Sequence, residues 1–327
     1  MVSLATPLKP GPFSRNRKIR DGIGRAIYEE MVKQPAIHLF GEGCEVKVHY
    51  DAPSIERDFP DRVHTLPISE DGNVNFAVGA SLLGVKPVVD IITADFLYRA
   101  MDSICNTAAK ANFVRPDQAP STIVIRAEFL IGGPTTGQRP EALFTHIPGL
   151  NVLIPSTPRD AYGLMRTALN TPGVTLFFED RMIRDDLLKE TDCRIEGPIG
   201  LGYALERRNG NAKPDCTVVT YGVMRQMVEE ALDPSLNIDL IDLRSIYPID
   251  WMAISASARR SGKLLVIEPD VKIGGVGAEI AATIAETMPG VRVKRLGGRH
   301  QTIPATMDQH RRMMPREEEI VHAVSTW

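Results

Sequence analysis

The chain has 327 residues and a formal net charge of −3, from 38 Lys and Arg against 41 Asp and Glu. This length exceeds what one ordinary hydrophobic core supports, so it predicts two domains. The charge balance gives no basic surface for nucleic acid, and no apolar run is long enough to span a bilayer. We therefore expect no nucleic-acid partner and no association with a membrane.

Cysteine usage and the N-terminal segment indicate the compartment. The four cysteines, Cys44, Cys105, Cys193 and Cys216, lie far apart and form no CxxC pair. This spacing disfavours a zinc knuckle or a disulfide framework and indicates a reducing compartment. The segment 1–18 has basic residues but no apolar signal core, which favours a frayed arm, with a short organellar presequence as the alternative. We expect a cytoplasmic protein.

Helical and strand patterns alternate through the first half of the chain. Ile19, Ile23, Ile27 and Met31 fall on one face of a predicted first helix. The next predicted elements are a buried strand at 36–40, a helix at 74–84, a strand at 86–92, a long helix at 95–112, a strand at 121–126, an extended loop at 127–140, a strand at 151–155, a helix from Thr157 and Pro158 to about 170, and a strand at 174–179. Continuous apolar strands separated by helices predict a mostly parallel sheet covered on both faces.

The second half repeats this alternation after a charged, irregular linker at 180–215. The predicted strands are 216–222, 237–243, 263–268 and 291–296. Of the four predicted helices, one ends at 232, one follows Pro248, one begins at Gly277 and one begins at Pro315. The sequence thus predicts an α/β protein with two domains, 1–185 and 195–327.

Motifs of enzyme sites are few. The sequence has no GxSxG, HExxH or Walker segment. At the turn 66–72, Glu70 is placed either to cap a helix or to do chemistry. The glycines at 274–277 fit a tight turn better than a dinucleotide-binding motif. The Gly-rich loop 132–141 is either an ordinary connection or a segment whose amides and cation meet an anionic substrate or a neighbouring chain.

Several long segments, in the right order, resemble a known family over nearly the whole chain. In the first half they are LPISEDGNVNFAVGASLLGVKPVVDI, ADFLYRAMDSICNTAAK and HIPGLNVLIPSTPRDAYGLM, and in the second VVTYG, IDLIDLRSIYPIDW, LLVIEP and GGVGAEIA. They resemble the β subunits of thiamine-diphosphate-dependent 2-oxo acid dehydrogenases of the pyruvate, branched-chain and acetoin type, within the transketolase-like superfamily. The resemblance implies a pyrimidine-binding domain followed by a transketolase C-terminal domain.

The resemblance also implies a cofactor site. In this family, thiamine diphosphate lies between two chains, and a glutamate hydrogen-bonds N1′ of its pyrimidine ring, which favours the tautomer whose N4′ removes the C2 proton. Glu70 matches that glutamate, so the resemblance implies a partly buried carboxyl there. Phe96 matches an aromatic residue that packs on the pyrimidine, although plain core packing is the alternative. Glu42 matches an acidic position near the cofactor.

The diphosphate and its Mg²⁺ need a second motif, a GDG followed by an Asn, which this sequence lacks. In the family this motif lies on a separate α-type subunit. The resemblance therefore implies an α-type partner that carries the magnesium site, an α₂β₂ assembly, and thiamine diphosphate shared between the two chains. The substrate is expected to be a small molecule.

One departure from the family lies in the Gly-rich loop. The family carries a His ten residues before the His of its HxPGL motif, and this chain has Thr136 there, counted back from His146. Thr136, Gln138 and Arg139 are candidate residues of a substrate loop, which is the Gly-rich loop 132–141. Arg139 and His64 are the candidates to replace the missing imidazole.

The function of the chain stays open between three classes of protein. The first is a catalytic subunit acting on a 2-oxo acid or a ketose, by non-oxidative carboligation or decarboxylation or by acyl transfer to a lipoyl domain. The second is a non-catalytic scaffold of such a complex. The third, a nucleotide-binding oxidoreductase, rests only on the glycine turn at 274–277. Thr136 favours a carbonyl acceptor or a proton over a lipoyl acceptor, because a hydroxyl is no general acid near neutral pH.

Overall fold

A computed structural model describes residues 18–42, 54–115, 120–131, 133–189, 192, 197–208 and 213–327 of the chain. The N-terminal arm, parts of the linker, Gly43, Cys44, Gly132 and Cys193 lie outside the described residues. Within those ranges, none of the helices is both long and apolar enough to cross a bilayer.

Helices and strands alternate along the described chain. The strands are β1 (Ile37–Gly41), β2 (Val63–Thr65), β3 (Lys86–Thr93), β4 (Thr122–Phe129), β5 (Leu150–Leu153), β6 (Gly173–Asp180), β7 (Leu205–Arg208), β8 (Cys216–Thr220), β9 (Ile238–Asp242), β10 (Ser245–Tyr247), β11 (Lys263–Val271) and β12 (Arg292–Gly298). The helices are α1 (Ile19–Lys33), α2 (Ser54–Asp58), α3 (Glu70–Leu82), α4 (Glu141–Thr145), α5 (Pro158–Asn170), α6 (Val223–Ala231), α7 (Trp251–Ser261), α8 (Val276–Thr287), α9 (Met307–Arg311) and α10 (Glu317–Ser325). Three short 3₁₀ segments and one π-helical segment complete the described set: Pro60–Arg62, Ala94–Tyr98, Asp185–Leu187 and the π segment Ser103–Ala108.

The strands form two sheets. The first has the order β10-β5-β6-β4-β3-β1-β2, and the second has the order β12-β11-β8-β9-β7. Each sheet is parallel except for one edge strand, β10 in the first and β7 in the second. All eight residues of β4 are buried, with Ile123 and Ile125 in one apolar cluster and Val124 in the other. This alternation is what a central strand covered by helices on both faces requires.

Most predicted elements agree with the structure, but the long helix predicted at 95–112 is wrong. A 3₁₀ segment at Ala94–Tyr98 and a π segment at Ser103–Ala108 stand in its place. Asp95 explains the departure, because its carboxylate accepts the Gln138 N–H, 3.1 Å away, and ties the start of the segment to a distant loop. Such a tertiary contact outweighs the small differences in helix propensity. The predicted loop also starts later, since β4 continues to Phe129.

The two halves of the chain are joined through strand pairing and buried ion pairs. β10 comes from the second half yet pairs antiparallel with β5 of the first sheet. Arg244 Nη1 lies 2.6 Å from Asp160 Oδ1, with both side chains buried, and Ser156 donates a hydrogen bond to Asp242. The boundary between the halves therefore carries polar and main-chain contacts as well as apolar packing.

Candidate active site

The candidate residues follow the carboxyl ends of four adjacent strands. Glu42 follows β1 directly, Glu70 starts the helix after β2, and Phe96 follows β3, while β4 leads into the loop that carries Thr136 and Gln138. In open parallel sheets, ligands bind in the crevice at this edge. The topology therefore brings the residues predicted from distant sequence segments to one edge of the first sheet.

Glu42 and Glu70 form the acidic centre of this edge. Both residues are buried, with 3 % and 9 % of their surface exposed. Glu42 Oε1 accepts the backbone N–H of Ser69 at 3.1 Å and Asn73 Nδ2 at 3.3 Å. Burial raises the pKa of Glu42 above its usual range, the negative charge of Glu70 adds to the rise, and the Ser69 N–H opposes it. The two carboxyls are thus electrostatically coupled at this edge of the sheet.

Glu70 occupies the first position of α3, where a carboxylate is favoured by the helix dipole. Within the described part of the chain, no hydrogen bond engages its carboxylate, unlike that of Glu42. A carboxylate oxygen with no protein partner can accept a hydrogen bond from an external group. Glu70 is therefore placed to receive an external hydrogen-bonding atom, which agrees with the ring nitrogen of a pyrimidine.

Phe96 is half-buried and packs at the margin of one apolar cluster, in the 3₁₀ segment after β3. Its neighbour Asp95 accepts the Gln138 N–H, so this segment is bound to the substrate loop. Burial raises the pKa of Asp95, and the hydrogen bonds from Gln138 oppose the rise. Phe96 itself is only partly buried, which leaves it able to pack on a ligand.

The backbone before Phe96 is strained at Ile92. Ile92 has a φ of 56°, which is rare for a β-branched residue, and the register of β3 against β4 shifts between Asp90 and Thr93. Asp90 Oδ1 accepts the Ile92 N–H at 2.9 Å and so supports this conformation. Strain of this kind concentrates at functional sites. Here it redirects the chain from the sheet into the segment that carries Phe96.

The candidate substrate-loop residues differ in exposure. Thr136 is half-buried, and its N–H donates to the Gly133 carbonyl at 3.3 Å, while Gln138 is exposed apart from its bound N–H. A hydroxyl and an amide side chain thus remain accessible in this loop, and both can donate or accept hydrogen bonds.

Arg139 corrects the expectation of an exposed cation in the loop. Its side chain is buried, pairs with Asp180 at 3.0 Å and Glu141 at 3.1 Å, and lies 3.9 Å from the centroid of the Phe129 ring. Although burial disfavours the charged guanidinium, Asp180 and Glu141 raise its pKa. The Arg139 guanidinium therefore forms ion pairs with buried carboxylates and is not placed to replace a solvent-facing imidazole.

His64 lies on the edge strand β2, away from the position expected of a loop residue. Its Nε2 lies 3.1 Å from His38 Nδ1, and its ring stacks on Phe40 with centroids 4.9 Å apart. Burial lowers the pKa of His38, and the charge of His64 adds to the effect. The described ring contacts of His64 are with His38 and Phe40. They indicate side-chain packing at the edge of the sheet rather than a place in the substrate loop.

Sequence reasoning missed two residues of this region, Asp95 and His310. Asp95 lies beside Phe96 in the ADF segment, but its bond to the Gln138 N–H depends on tertiary structure. His310 belongs to α9, more than 170 residues after the loop in sequence, yet its ring packs on Gly137. No local pattern signals either contact.

Among the described residues, no group of three or more His, Cys, Asp and Glu side chains is arranged to hold a metal ion. The buried carboxyls and the half-buried aromatic ring are suited to a neutral heteroaromatic ring, whereas a diphosphate with its cation needs other donors.

Comparisons with known proteins agree with this geometry. Models of the transketolase pyrimidine-binding domain and the transketolase C-terminal domain match residues 15–184 and 202–320. The chain is 31 % identical to a mitochondrial pyruvate dehydrogenase E1 component subunit beta-1 of Arabidopsis thaliana, over 95 % of this chain and 89 % of the relative. It is also 31 % identical to a 2-oxoisovalerate dehydrogenase subunit beta of Bacillus subtilis, over 91 % of this chain and 95 % of the relative.

A solved structure shows the same fold. It is described as a split gene transketolase, inactive beta4 tetramer, and matches with a TM-score of 0.78 at 21 % identity, over 94 % of this chain and 97 % of that chain. The resemblance and the two-domain α/β fold predicted from the sequence are thereby confirmed. The chain belongs to the transketolase-like family that includes the β subunits of pyruvate and 2-oxoisovalerate dehydrogenases.

Proposed function

We propose that this chain is the β-type, pyrimidine-binding subunit of a two-component thiamine-diphosphate enzyme that acts on a 2-oxo acid or a ketose. The observation that carries the proposal is the Glu70 carboxylate beside Glu42 at the carboxyl edge of the first sheet, which no hydrogen bond from the described residues engages. The names of the similar proteins support a 2-oxo acid, since pyruvate and 2-oxoisovalerate both belong to that class.

Each site residue has a definable task. Thiamine diphosphate, when bound, would supply a nucleophilic carbon and an electron sink. Glu70 exchanges a proton with a pyrimidine nitrogen, and Glu42, through the Ser69 N–H and the Asn73 amide, holds the turn that carries Glu70. Phe96 packs on the ring. Gln138 and Thr136 contact the substrate, and the Asp95 carboxylate fixes the loop that carries them.

The partner proposal follows from what this sequence lacks. An α-type subunit supplies the diphosphate and Mg²⁺ ligands, because the GDG motif is missing here, and an α₂β₂ heterotetramer places the cofactor between the two chains. We assign the pyrimidine-binding domain to 1–185 and the C-terminal domain to 195–327. Cys105 and Cys216 are free thiols, which supports a reducing compartment, and we assign the chain to the cytoplasm.

The direct test is reconstitution with the cognate α-type subunit, thiamine diphosphate and Mg²⁺. The expected result is rapid exchange of the cofactor C2 proton with deuterium, followed by consumption of a 2-oxo acid such as pyruvate or 2-oxoisovalerate. A complex that forms without accelerating C2 exchange would establish the scaffold alternative and overturn the catalytic proposal.

Two catalytic outcomes remain distinct. The names of the relatives favour a dehydrogenase that passes the acyl group to a lipoyl domain. Thr136, which stands where the family carries a His, favours a carbonyl compound or a proton as the acceptor. We propose the second outcome, because the accessible side chains of the substrate loop include no general acid suited to neutral pH.

A further inference from the structure

The C-terminal domain inserts an imidazole into the back of the substrate loop. A Cβ atom added to Gly137 would lie 2.6 Å from Cε1 and 3.0 Å from Nδ1 of His310, and 2.8 Å from Cγ2 of Ile303. These separations are below ordinary van der Waals contact, so only glycine fits at position 137 with the ring in place. The His310 ring on α9 therefore occupies the space that a side chain at position 137 would need.

His310 is held in an enclosed position. It has 3 % of its surface exposed, and its backbone N–H donates to the Thr306 carbonyl at 3.0 Å within α9. Among the described residues, no group hydrogen-bonds its Nδ1 atom, which is itself buried. Buried ring nitrogens are normally satisfied, so an orphaned one next to a functional loop indicates a role other than packing.

The charges around the ring come from three elements. They are Arg139 in the loop, Asp180 at the end of β6 and Asp95 in the 3₁₀ segment after β3. Burial lowers the pKa of His310 below its usual 6.5, and Arg139 lowers it further, whereas the charges of Asp180 and Asp95 oppose the change. The ring is therefore neutral at neutral pH and gains a proton only in acid.

We propose that His310 is a positioning residue of the substrate loop, which gives this loop the titratable nitrogen that Thr136 lacks. The proposal rests on the function proposed above. The neutral ring fills the space at Gly137 and fixes the segment whose Gln138 N–H is bound to Asp95, next to Phe96. A proton on the ring adds a second cation beside Arg139 and makes both ring nitrogens donors, so the loop shifts from its position beside Asp95 in acid.

The contact itself is tested by a double-mutant cycle on the purified chain, without cofactor or activity. Gly137→Ala should lower the melting temperature by roughly 2 °C or more, since about 1 kcal/mol corresponds to 2–4 °C in a domain of this size. The same change should cost less in a His310→Ala background, where the ring no longer obstructs the added methyl group. Equal costs in both backgrounds would overturn the contact.

The role in the reaction is tested by pH profiles of product formation from a 2-oxo acid in the reconstituted enzyme. Wild-type activity should fall as the pH drops below 6.5. His310→Gln should be slower on the order of 10-fold or more at pH 7 and should lack that fall, because glutamine does not titrate. His322→Gln, an exposed histidine on α10, is the matched control and should keep the wild-type profile. Gly137→Ala, which displaces the ring without removing it, should also alter the acid limb.

Exchange of the cofactor C2 proton separates the two proposals. Wild-type exchange retained in His310→Gln, together with loss of the acid limb, supports the positioning role. An acid limb unchanged in both His310→Gln and Gly137→Ala overturns that role and leaves the proposed function standing. No exchange in the wild-type complex overturns the proposed function, and with it the reaction role of His310, while the stability cycle still decides the contact.

Discussion

Glu70 is the residue on which the proposed chemistry most depends. It lies buried at the start of α3 with Glu42 beside it. We expect Glu70→Gln to fold normally and to slow C2-proton exchange on the order of a hundred-fold or more, because an amide hydrogen-bonds but does not shuttle a proton. Asp71→Asn, which changes an exposed acid in the same turn, is the control and should exchange at the wild-type rate. Normal exchange in Glu70→Gln would remove this residue from the activating position.

Candidate site residues that lie within long local motifs could be identified from the sequence, whereas residues that reach the site only through tertiary contacts could not. Glu70 and Phe96 lie in continuous segments that resemble the family, so the sequence names them, and their roles stay predictions. Arg139 was misjudged because its partner Asp180 is 41 residues away in the chain, and only folding commits the guanidinium to it. His310 was missed for the same reason.

Hydrogen bonds between helices α1 and α5 make the stability of the fold depend on pH. Glu30 accepts hydrogen bonds from Lys33, Gln34, Arg166 and Asn170, and α5 carries the last two of these residues. Burial alone would raise its pKa, but these bonds lower it to about 2, from an ordinary value of 4.5. A lowered carboxyl pKa means that the ionised form stabilises the fold above pH 4.5 and that this contribution is lost between pH 4.5 and 2.

Glu30→Gln should therefore be less stable than the wild type at pH 7, by about 1–3 kcal/mol for hydrogen bonds to a charged group. The difference should shrink as the pH falls below 4.5. Urea unfolding of both proteins at several pH values measures it, with Glu286→Gln on the exposed face of α8 as the control. A difference that is constant down to pH 2 would show that packing, not charge, links the two helices.

Among the elements, periodicity predicted the long helices and the buried strands, but not the short or irregular pieces. α1 and α5 agree with prediction because an apolar stripe and, at α5, a Thr157 side-chain cap define them locally. The segment after β3 departs from a regular helix because Asp95 is bound to the loop. β2 and β10, of three residues each, are too short for any pattern and exist through their pairing with neighbours.

For the whole molecule, the first expectation concerns cofactor affinity. The isolated chain should bind thiamine diphosphate weakly or not at all, because its sequence lacks the motif for the diphosphate and Mg²⁺. Calorimetric titration with Mg²⁺ present should give little heat for the chain alone and a saturable heat once the α-type subunit is added. Tight, magnesium-dependent binding by this chain without a partner would reject the split site.

A second expectation for the assembled enzyme concerns its acceptor. Thr136 presents a hydroxyl, and the His310 imidazole lies behind Gly137 with 3 % of its surface exposed, so neither offers an acid to a lipoyl arm. Supplied with a 2-oxo acid and a lipoylated domain, the enzyme should give acyloin or aldehyde product. Mass spectrometry should find no acylated lipoyl group. Rapid lipoyl acylation would instead assign the chain to the dehydrogenases.

The place of β10 has a consequence for how the two halves can be separated. Because β10 supplies the last strand beside β5, a fragment that ends in the linker would expose the main-chain donors and acceptors of β5 along a bare sheet edge. Such an edge recruits strands from other chains and promotes aggregation. The two fragments should therefore stay soluble when they are produced together and complement each other, whereas the first fragment alone should self-associate.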